Sequence, residues 1–220
     1  MDSYSLLVFV HVLLLVFWLG TDIGVFLAAK ISERSDLSVE TRSTVLRLGM
    51  VLDRLPRSAL VLIIPTGLQL AVNMGLLALS TTLLIFVWGL ALVWLVILWL
   101  GFLNPETPTE QRSMLFNFLM NAVLAVVVTG YAIYLLSSTE VFTWLAVKIL
   151  LVGFVFIAGV ALDAMFKSAV AAFVAIVTQG STAERDAEYS RAIGPVYLAV
   201  LAIYAFVLVA AYIGIAKPIF

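Results

Sequence analysis

Hydrophobic residues are concentrated in six long runs along this chain, and polar residues gather between the runs. Each run has about 20 residues or more, the length of helix that crosses a hydrocarbon core of ~30 Å. None alternates apolar and polar residues as the strands of a membrane β-barrel would. The runs lie at residues 6–29, 58–79, 81–103, 114–136, 141–162 and 193–216. This pattern predicts an all-α fold, a polytopic transmembrane helix bundle of six spans.

Two connections carry helical patterns of their own. Residues 31–55 place apolar positions at helical spacing among acids and arginines, which predicts a short amphipathic helix at the inner membrane surface. The fifth run continues through residues 163–178 before Gln179 and Gly180 end it. We expect this extension to project into the cytoplasm and to pack on other protein. Residues 1–220 are expected to form a single transmembrane domain.

Basic residues are distributed unevenly over the connections. The first connection carries six, the third one and the fifth three, so ten of the 12 lysines and arginines lie on one side of the predicted bundle. Cytoplasmic loops retain positive charge, which predicts that both termini are outside. The first span lacks the features of a cleaved signal peptide and is expected to remain a mature helix. We therefore expect a multi-pass protein of a bacterial cytoplasmic membrane, in contact with the lipid bilayer.

Composition narrows the function further. A content of 64% hydrophobic and 11% charged residues, with a mean hydropathy of +1.19, excludes a soluble globular domain. A net charge of −1 indicates no nucleic-acid partner. With no cysteine, the chain cannot form a disulfide, an iron–sulfur site or a thiolate metal site. No phosphate-binding glycine loop is present either.

The first span carries the only histidine of the chain and an aspartate within its apolar run. Steps of seven and eleven residues bring Trp18 and Asp22 to within about 20° of His11 around the helix. His11 belongs to the outer half of the bilayer and Asp22 to the inner half, about 16 Å apart along the axis. Ionisable groups in a membrane span are functional-site candidates. The alternative, a histidine that only packs and forms a hydrogen bond, stays open.

Polar residues on the other spans fall at two depths. The outer level, a candidate ligand pocket, consists of His11, Gln69, Thr129, Tyr131 and Lys148. The inner level, a candidate proton or ion pathway, consists of Asp22, Arg57, Asn117 and Asp163. A lysine at this depth either extends to the outer surface or binds an anionic group such as a ligand carboxylate. The inner charges either form a structural ion pair or relay protons.

Three segments resemble a known group of membrane proteins. Residues 11–20, with a histidine followed seven positions later by tryptophan, resemble the first helix of the copper-resistance protein D superfamily and of related proteins of the protoporphyrinogen oxidase type. Residues 57–67 resemble the second helix of these proteins, and residues 144–152 resemble their tryptophan-x-x-x-lysine helix. The resemblance extends over roughly half of the chain.

The resemblance implies a b-type haem, or porphyrinogen chemistry, near His11 and Lys148. His11 would be the haem axial ligand or a proton donor, Lys148 would bind a propionate, and Trp18 would pack on the ring. Because the chain has a single histidine, the haem is expected to be five-coordinate or shared between subunits. The scattered methionines form a poor copper site.

Three functions remain open, and whether the protein is an enzyme stays open with them. The first is a redox- or tetrapyrrole-associated membrane protein that uses the outer level. The second is a small transporter or channel with Asp22 and Lys148 along its pathway. The third is an accessory or scaffold subunit that contacts other helices through Gly20 and Gly24. We expect a homo-oligomer or a partner in a membrane complex.

Overall fold

Seven helices account for most of the residues that the computed structural model describes, which are 2–138 and 141–218. The helices are α1 (Ser3–Ser32), α2 (Val39–Leu52), α3 (Arg54–Asn73), α4 (Thr81–Leu103), α5 (Pro108–Leu136), α6 (Thr143–Gln179) and α7 (Ala183–Ala216). These ranges contain no strand. With α2 and α3 taken together, six helical segments are long and apolar enough to cross a membrane. The predicted all-α bundle of six spans is confirmed, while the side on which the termini lie stays a prediction.

The first connection folds into α2, which packs lengthwise on α1. Ser38 caps α2, its hydroxyl accepting from the backbone N–H of the third helical residue. A Cβ built at Gly49 would lie 2.8 Å from the Cβ of Ala28, so the two helices cross very closely there. Gly24 also approaches α2, whereas Gly20 faces open space. The close contact of α1 is therefore made by Ala28 and Gly49 rather than by a Gly20–Gly24 pair.

The helix α3 ends at Asn73, before the end of the apolar run that predicted it. Gly75 takes a φ of +69°, which a glycine adopts without strain. The N–H of Leu76 donates to the carbonyl of Ala71 at 2.8 Å, and the N–H of Gly75 donates to the carbonyl of Val72 at 2.9 Å. This is the Schellman arrangement that ends a helix. The remaining apolar residues fold back onto an outer core cluster.

The helices α6 and α7 are longer than a membrane crossing needs. The 37 residues of α6 span about 55 Å at 1.5 Å per residue. Gly180, at a φ of +88°, ends α6, and α7 begins at Ala183, well before the predicted sixth span. The inner parts of both helices share a buried cluster of Ala169, Ala172, Phe173, Ile176, Tyr189 and Ile193. They form a helical hairpin at the inner end of the bundle.

The helices divide into two groups with a seam between them. In one group α1 packs on α2 and α3, and in the other α6 packs on α5 and α7. The backbone of α1 approaches α7 at few points, and within the part of the chain that the structure describes α3 makes no close backbone contact with α6. Side chains rather than backbones therefore fill the space between α1 and α3 on one side and α6 and α7 on the other.

Candidate functional site

His11 is held against α3 by a hydrogen bond and by a glycine. Its Nδ1 lies 2.9 Å from the Oγ1 of Thr66, and a Cβ at Gly67 would lie 3.1 Å from its Cε1. Thr66 is buried and follows Pro65, which interrupts the regular hydrogen bonding of α3. The imidazole therefore points its Cε1 edge at a helix surface that only a residue without a side chain leaves open.

The hydrogen bonds of Thr66 determine which histidine nitrogen carries the proton. The Thr66 hydroxyl donates to the carbonyl oxygens of Leu62 and Ile63, at 2.9 Å and 3.0 Å. A hydroxyl has one proton. When that proton is donated to one of these carbonyls, the oxygen is the acceptor towards His11 and His11 Nδ1–H donates. In a neutral imidazole the other nitrogen, Nε2, then keeps a free lone pair. The site thus presents one nitrogen ligand of fixed orientation.

Lys148 is the cation of this outer site. Its Nζ lies against the backbone of α7, where a Cβ at Gly214 would overlap with it. The ammonium is close enough to His11 for the two groups to interact electrostatically. Over residues 2–138 and 141–218 no carboxylate forms an ion pair with it. The structure therefore places Lys148 within electrostatic range of His11 and, among the described residues, gives it no carboxylate partner.

Two other residues of the predicted outer pocket interact elsewhere. The amide of Gln69 donates to Asn73 Oδ1 at 3.0 Å, one turn along the same helix. The ring of Tyr131 stacks on Tyr134, with 6.4 Å between ring centroids, and packs against the outer core cluster around Trp144. Neither contact involves His11, so the structure does not place these two side chains with the histidine. Their assignment to a ligand pocket stays a prediction.

Trp18 lies below the histidine, in an apolar layer. It is buried in a cluster with Ala59, Val155 and Val207, and leucine and isoleucine side chains of α1, α3 and α7 surround this cluster. We call this set of residues the Trp18 layer. On its inner side Trp18 also borders a cavity. The layer therefore separates the outer site from the inner polar level.

The inner level surrounds a cavity of about 90 Å³ in the seam between the helix groups. Its polar lining consists of Asp22, Asp53, Arg57, Asn117, Asn121 and Asp163. The four residues that the sequence assigned to the inner level thus line one space. Their role in a proton or ion pathway stays a prediction.

One guanidinium pairs with two of the three carboxylates in this cavity. Arg57 Nε donates to Asp53 Oδ2 at 2.6 Å, and its Nη1 lies 3.5 Å from Asp163 Oδ1. All three side chains are only partly buried, so the protein does not fully enclose the pairs. Asp22 is not among the ion pairs of the described residues. The Tyr204 hydroxyl of α7 interacts with the Asp22 carboxylate, although the two groups do not reach the geometry of a regular hydrogen bond.

Two asparagines of α5 complete the polar wall. Asn117 accepts from Trp94 Nε1 at 3.2 Å through its Oδ1, which leaves its amide N–H groups for the cavity. Asn121 is only 5% exposed, and its Oδ1 has no hydrogen-bond partner. A buried carbonyl oxygen without a partner is unfavourable, which indicates that this side of the cavity normally receives a donor or a cation.

Thr66, Asp53 and Asn121 belong to these sites, although the sequence did not assign them to either polar level. Thr66 is an ordinary span residue by composition, and only its position after Pro65 marks it. Asp53 is one acid among several in a mixed connection, although its spacing of four from Arg57 is a helical pairing signal. Asn121 lies one turn from Asn117, and this pairing of two amides on one face of an apolar helix was the available signal.

Comparison of this chain with family models, with curated proteins and with solved structures finds no match.

Proposed function

We propose that this chain is a redox- or tetrapyrrole-associated membrane protein in which His11 is the axial ligand of a b-type haem. The observation that supports this function most directly is the hydrogen bond from His11 Nδ1 to Thr66, which leaves Nε2 as a lone-pair donor. Histidine nitrogen is a standard axial ligand of haem iron, and ligating histidines characteristically donate their other N–H to a neighbouring acceptor. The similarity of residues 11–20 to a haem-associated first helix agrees with this role.

Thr66 and Gly67 would position the ligand. Thr66 fixes both the tautomer and the rotation of the imidazole ring, and Gly67 lets the ring lie close to the backbone of α3. A ligand held in this way loses little freedom on binding, so affinity depends on this support as well as on His11 itself.

Lys148 would supply the positive charge that binds a propionate. A tetrapyrrole carries propionate carboxylates, and an ammonium near the axial ligand can bind one of them by a charge-assisted hydrogen bond. Lys148 interacts electrostatically with His11 and has no protein carboxylate as partner among the described residues. A neutral imidazole for the iron and an ammonium for a propionate would thus provide two binding points for a tetrapyrrole.

The residues present would hold the iron through one ligand. The chain has a single histidine, so a haem bound by one chain would be five-coordinate, with one axial position open. The haem would supply one-electron redox chemistry, while the chain would bind it and set its orientation. A haem shared between two copies would instead be six-coordinate.

An absorption spectrum tests this function. The protein is expressed with haem precursors available, purified in detergent, and compared with His11→Ala and with Lys217→Ala, which changes a lysine outside the site. We expect a Soret band in the wild type and in Lys217→Ala, and its loss in His11→Ala. A colourless wild-type preparation contradicts the proposal.

A further inference from the structure

The inner cavity has more negative than positive charge. Asp22, Asp53 and Asp163 contribute three carboxylates, and among the described residues Arg57 is the only base in the lining. Lys167, one turn beyond Asp163 along α6, is directed towards the ring of Phe118, 5.9 Å from its centroid. If all three acids are ionised, the lining carries an excess of two negative charges. An excess of this kind in a low-dielectric bundle favours the uptake of positive charge.

The unpartnered oxygen of Asn121 indicates where such a charge would bind. This side chain is almost fully buried, belongs to the cavity lining, and offers its Oδ1 without a donor. The carboxylate of Asp22, on the opposite group of helices, forms no ion pair among the described residues. A carboxylate outside the ion pairs and an amide carbonyl without a hydrogen-bond partner both line one small cavity. Oxygen ligands of this kind are the ones that hard cations prefer.

The arrangement of the acids argues against a divalent metal. Within the described residues no three carboxylate or histidine side chains lie close enough to hold one metal ion together. A divalent ion in a protein usually has several oxygen ligands of this kind at short distance. The cavity volume of about 90 Å³ leaves space for a few water molecules, each of which occupies roughly 30 Å³ in the liquid. An occupant can therefore keep part of its hydration.

We propose that the inner cavity binds one partly hydrated monovalent cation, hydronium or an alkali ion, between Asp22 and Asn121. Three charged groups face Asp22, namely Asp53 and Arg57 at the start of α3 and Asp163 on α6. The neutral hydroxyl of Tyr204 on α7 also faces it. Arg57 neutralises part of the charge of Asp53 and Asp163, so Asp22 retains the charge that the cation balances. This site is separate from the His11 site and does not depend on haem.

Access to the cavity is from the inner end of the bundle. Asp53, Arg57 and Asp163 are partly exposed, whereas the Trp18 layer closes the opposite end. A cation therefore enters past the Arg57 ion pairs and stops beneath the layer. The cavity is a one-sided binding site in this conformation.

Unfolding of the detergent-purified protein in different salts tests the site. The melting temperature is measured at constant ionic strength with increasing sodium chloride in place of choline chloride. Separately, the broad infrared absorption of protonated water is recorded between about pH 5 and about pH 8. Asp22→Asn and Asn121→Leu change the site, and Asp36→Asn changes an exposed carboxylate that pairs with Arg34. Asn121→Leu keeps the test decisive if Asp22→Asn does not fold.

Two results support the proposal and distinguish its two forms. An alkali ion raises the melting temperature with sodium, and its half-saturating concentration rises about tenfold or more in either cavity variant but not in Asp36→Asn. Hydronium gives no difference between sodium and choline, but gives a broad infrared band of protonated water that Asp22→Asn removes, that Asn121→Leu shifts and that Asp36→Asn leaves unchanged. The absence of both a sodium effect and such a band contradicts the proposal. The presence or absence of a Soret band in the haem experiment does not change the interpretation of this test.

Discussion

Arg42 Nη1 donates to Asp186 Oδ1 at 2.9 Å, although 144 residues separate the two in the chain. Arg42 is completely buried, and its Nε donates to the carbonyl of Ser32 at 2.7 Å. One side chain of α2 is therefore bonded to the end of α1 and to the start of α7. It joins the two helix groups at the inner end of the bundle, beyond the cavity.

Arg42→Met should lower the free energy of unfolding by about 3–5 kcal/mol, because it removes the bonds of a completely buried guanidinium to Ser32 and Asp186 and leaves Asp186 only its hydrogen bond from Ser181. Asp186 is 13% exposed, so water replaces little of the lost interaction. Arg47→Met on the exposed face of the same helix is the control and should stay within about 0.5 kcal/mol of wild type. The measurement is reversible unfolding in mixed detergent. Equal losses in the two variants would show that the ion pair is not what stabilises this end.

Thr66→Val should weaken haem binding about 10–100-fold while Thr66→Ser retains it, since only the hydroxyl can accept from His11. Titration of the apoprotein with haem, followed at the Soret band, gives the two affinities. Valine and threonine have nearly the same shape, so the comparison isolates the hydrogen bond. An unchanged affinity in Thr66→Val would remove the positioning role of this residue.

Depth in the membrane could be predicted from the sequence, but rotation about each helix axis could not. The position of Asp22, Arg57 and Asp163 at one level follows from counting residues along apolar runs at 1.5 Å each, and the structure brings all three to one cavity. Which neighbour a side chain meets depends on how the helices pack. Gln69 thus pairs with its own helix, although its depth suits His11.

The sequence also did not predict how the short polar connections pack. The sequence marks Arg42 as one of several arginines in a mixed segment, typical of a solvated loop. Its burial arises because Gly49 lets α2 lie directly on Ala28 of α1, which a residue count does not reveal. The Trp18 layer is similar, since a tryptophan in line with His11 gives no sign that apolar groups of three other helices surround it.

Gly153→Ala should destabilise the bundle by about 1–3 kcal/mol, because a new Cβ would lie 3.1 Å from the Cα and N of Thr129 on α5. Backbone atoms cannot move aside as a flexible side chain can. Gly130→Ala is the matched control, since a Cβ there meets open space, and it should be neutral or gain up to about 1 kcal/mol from helix propensity. Similar unfolding curves for the two variants would show that α5 and α6 pack less closely than described.

Trp18→Ala should make the protein leaky to protons when it is reconstituted in liposomes. The substitution opens the Trp18 layer between the inner cavity and the outer site, and water can then connect the two. Decay of an imposed pH gradient, read by an entrapped pH-sensitive dye, measures the leak. Trp99→Ala, a tryptophan that is partly exposed on the outside of the bundle, serves as the control and should leave the gradient intact.

Single cysteines should report the orientation of the chain, which has none of its own. Ser35→Cys in the first connection should resist a membrane-impermeant maleimide in intact cells and react after lysis, because its loop is predicted to be cytoplasmic. Ala78→Cys, in the next connection, should react in intact cells. Both positions are exposed, so the comparison depends on sidedness alone. The opposite labelling pattern would invert the predicted topology.

The Trp18 layer also determines how the membrane potential acts on this protein. A potential difference falls mainly across regions without water, and each elementary charge that crosses it fully changes in energy by about 2.3 kcal/mol per 100 mV. The inner cavity opens towards the inner end of the bundle, and the apolar layer lies on its other side. A cation that binds at Asp22 from the inner face therefore crosses only the part of the field below the layer. Its binding should depend weakly on voltage, and passage beyond the layer would be the step that the potential controls.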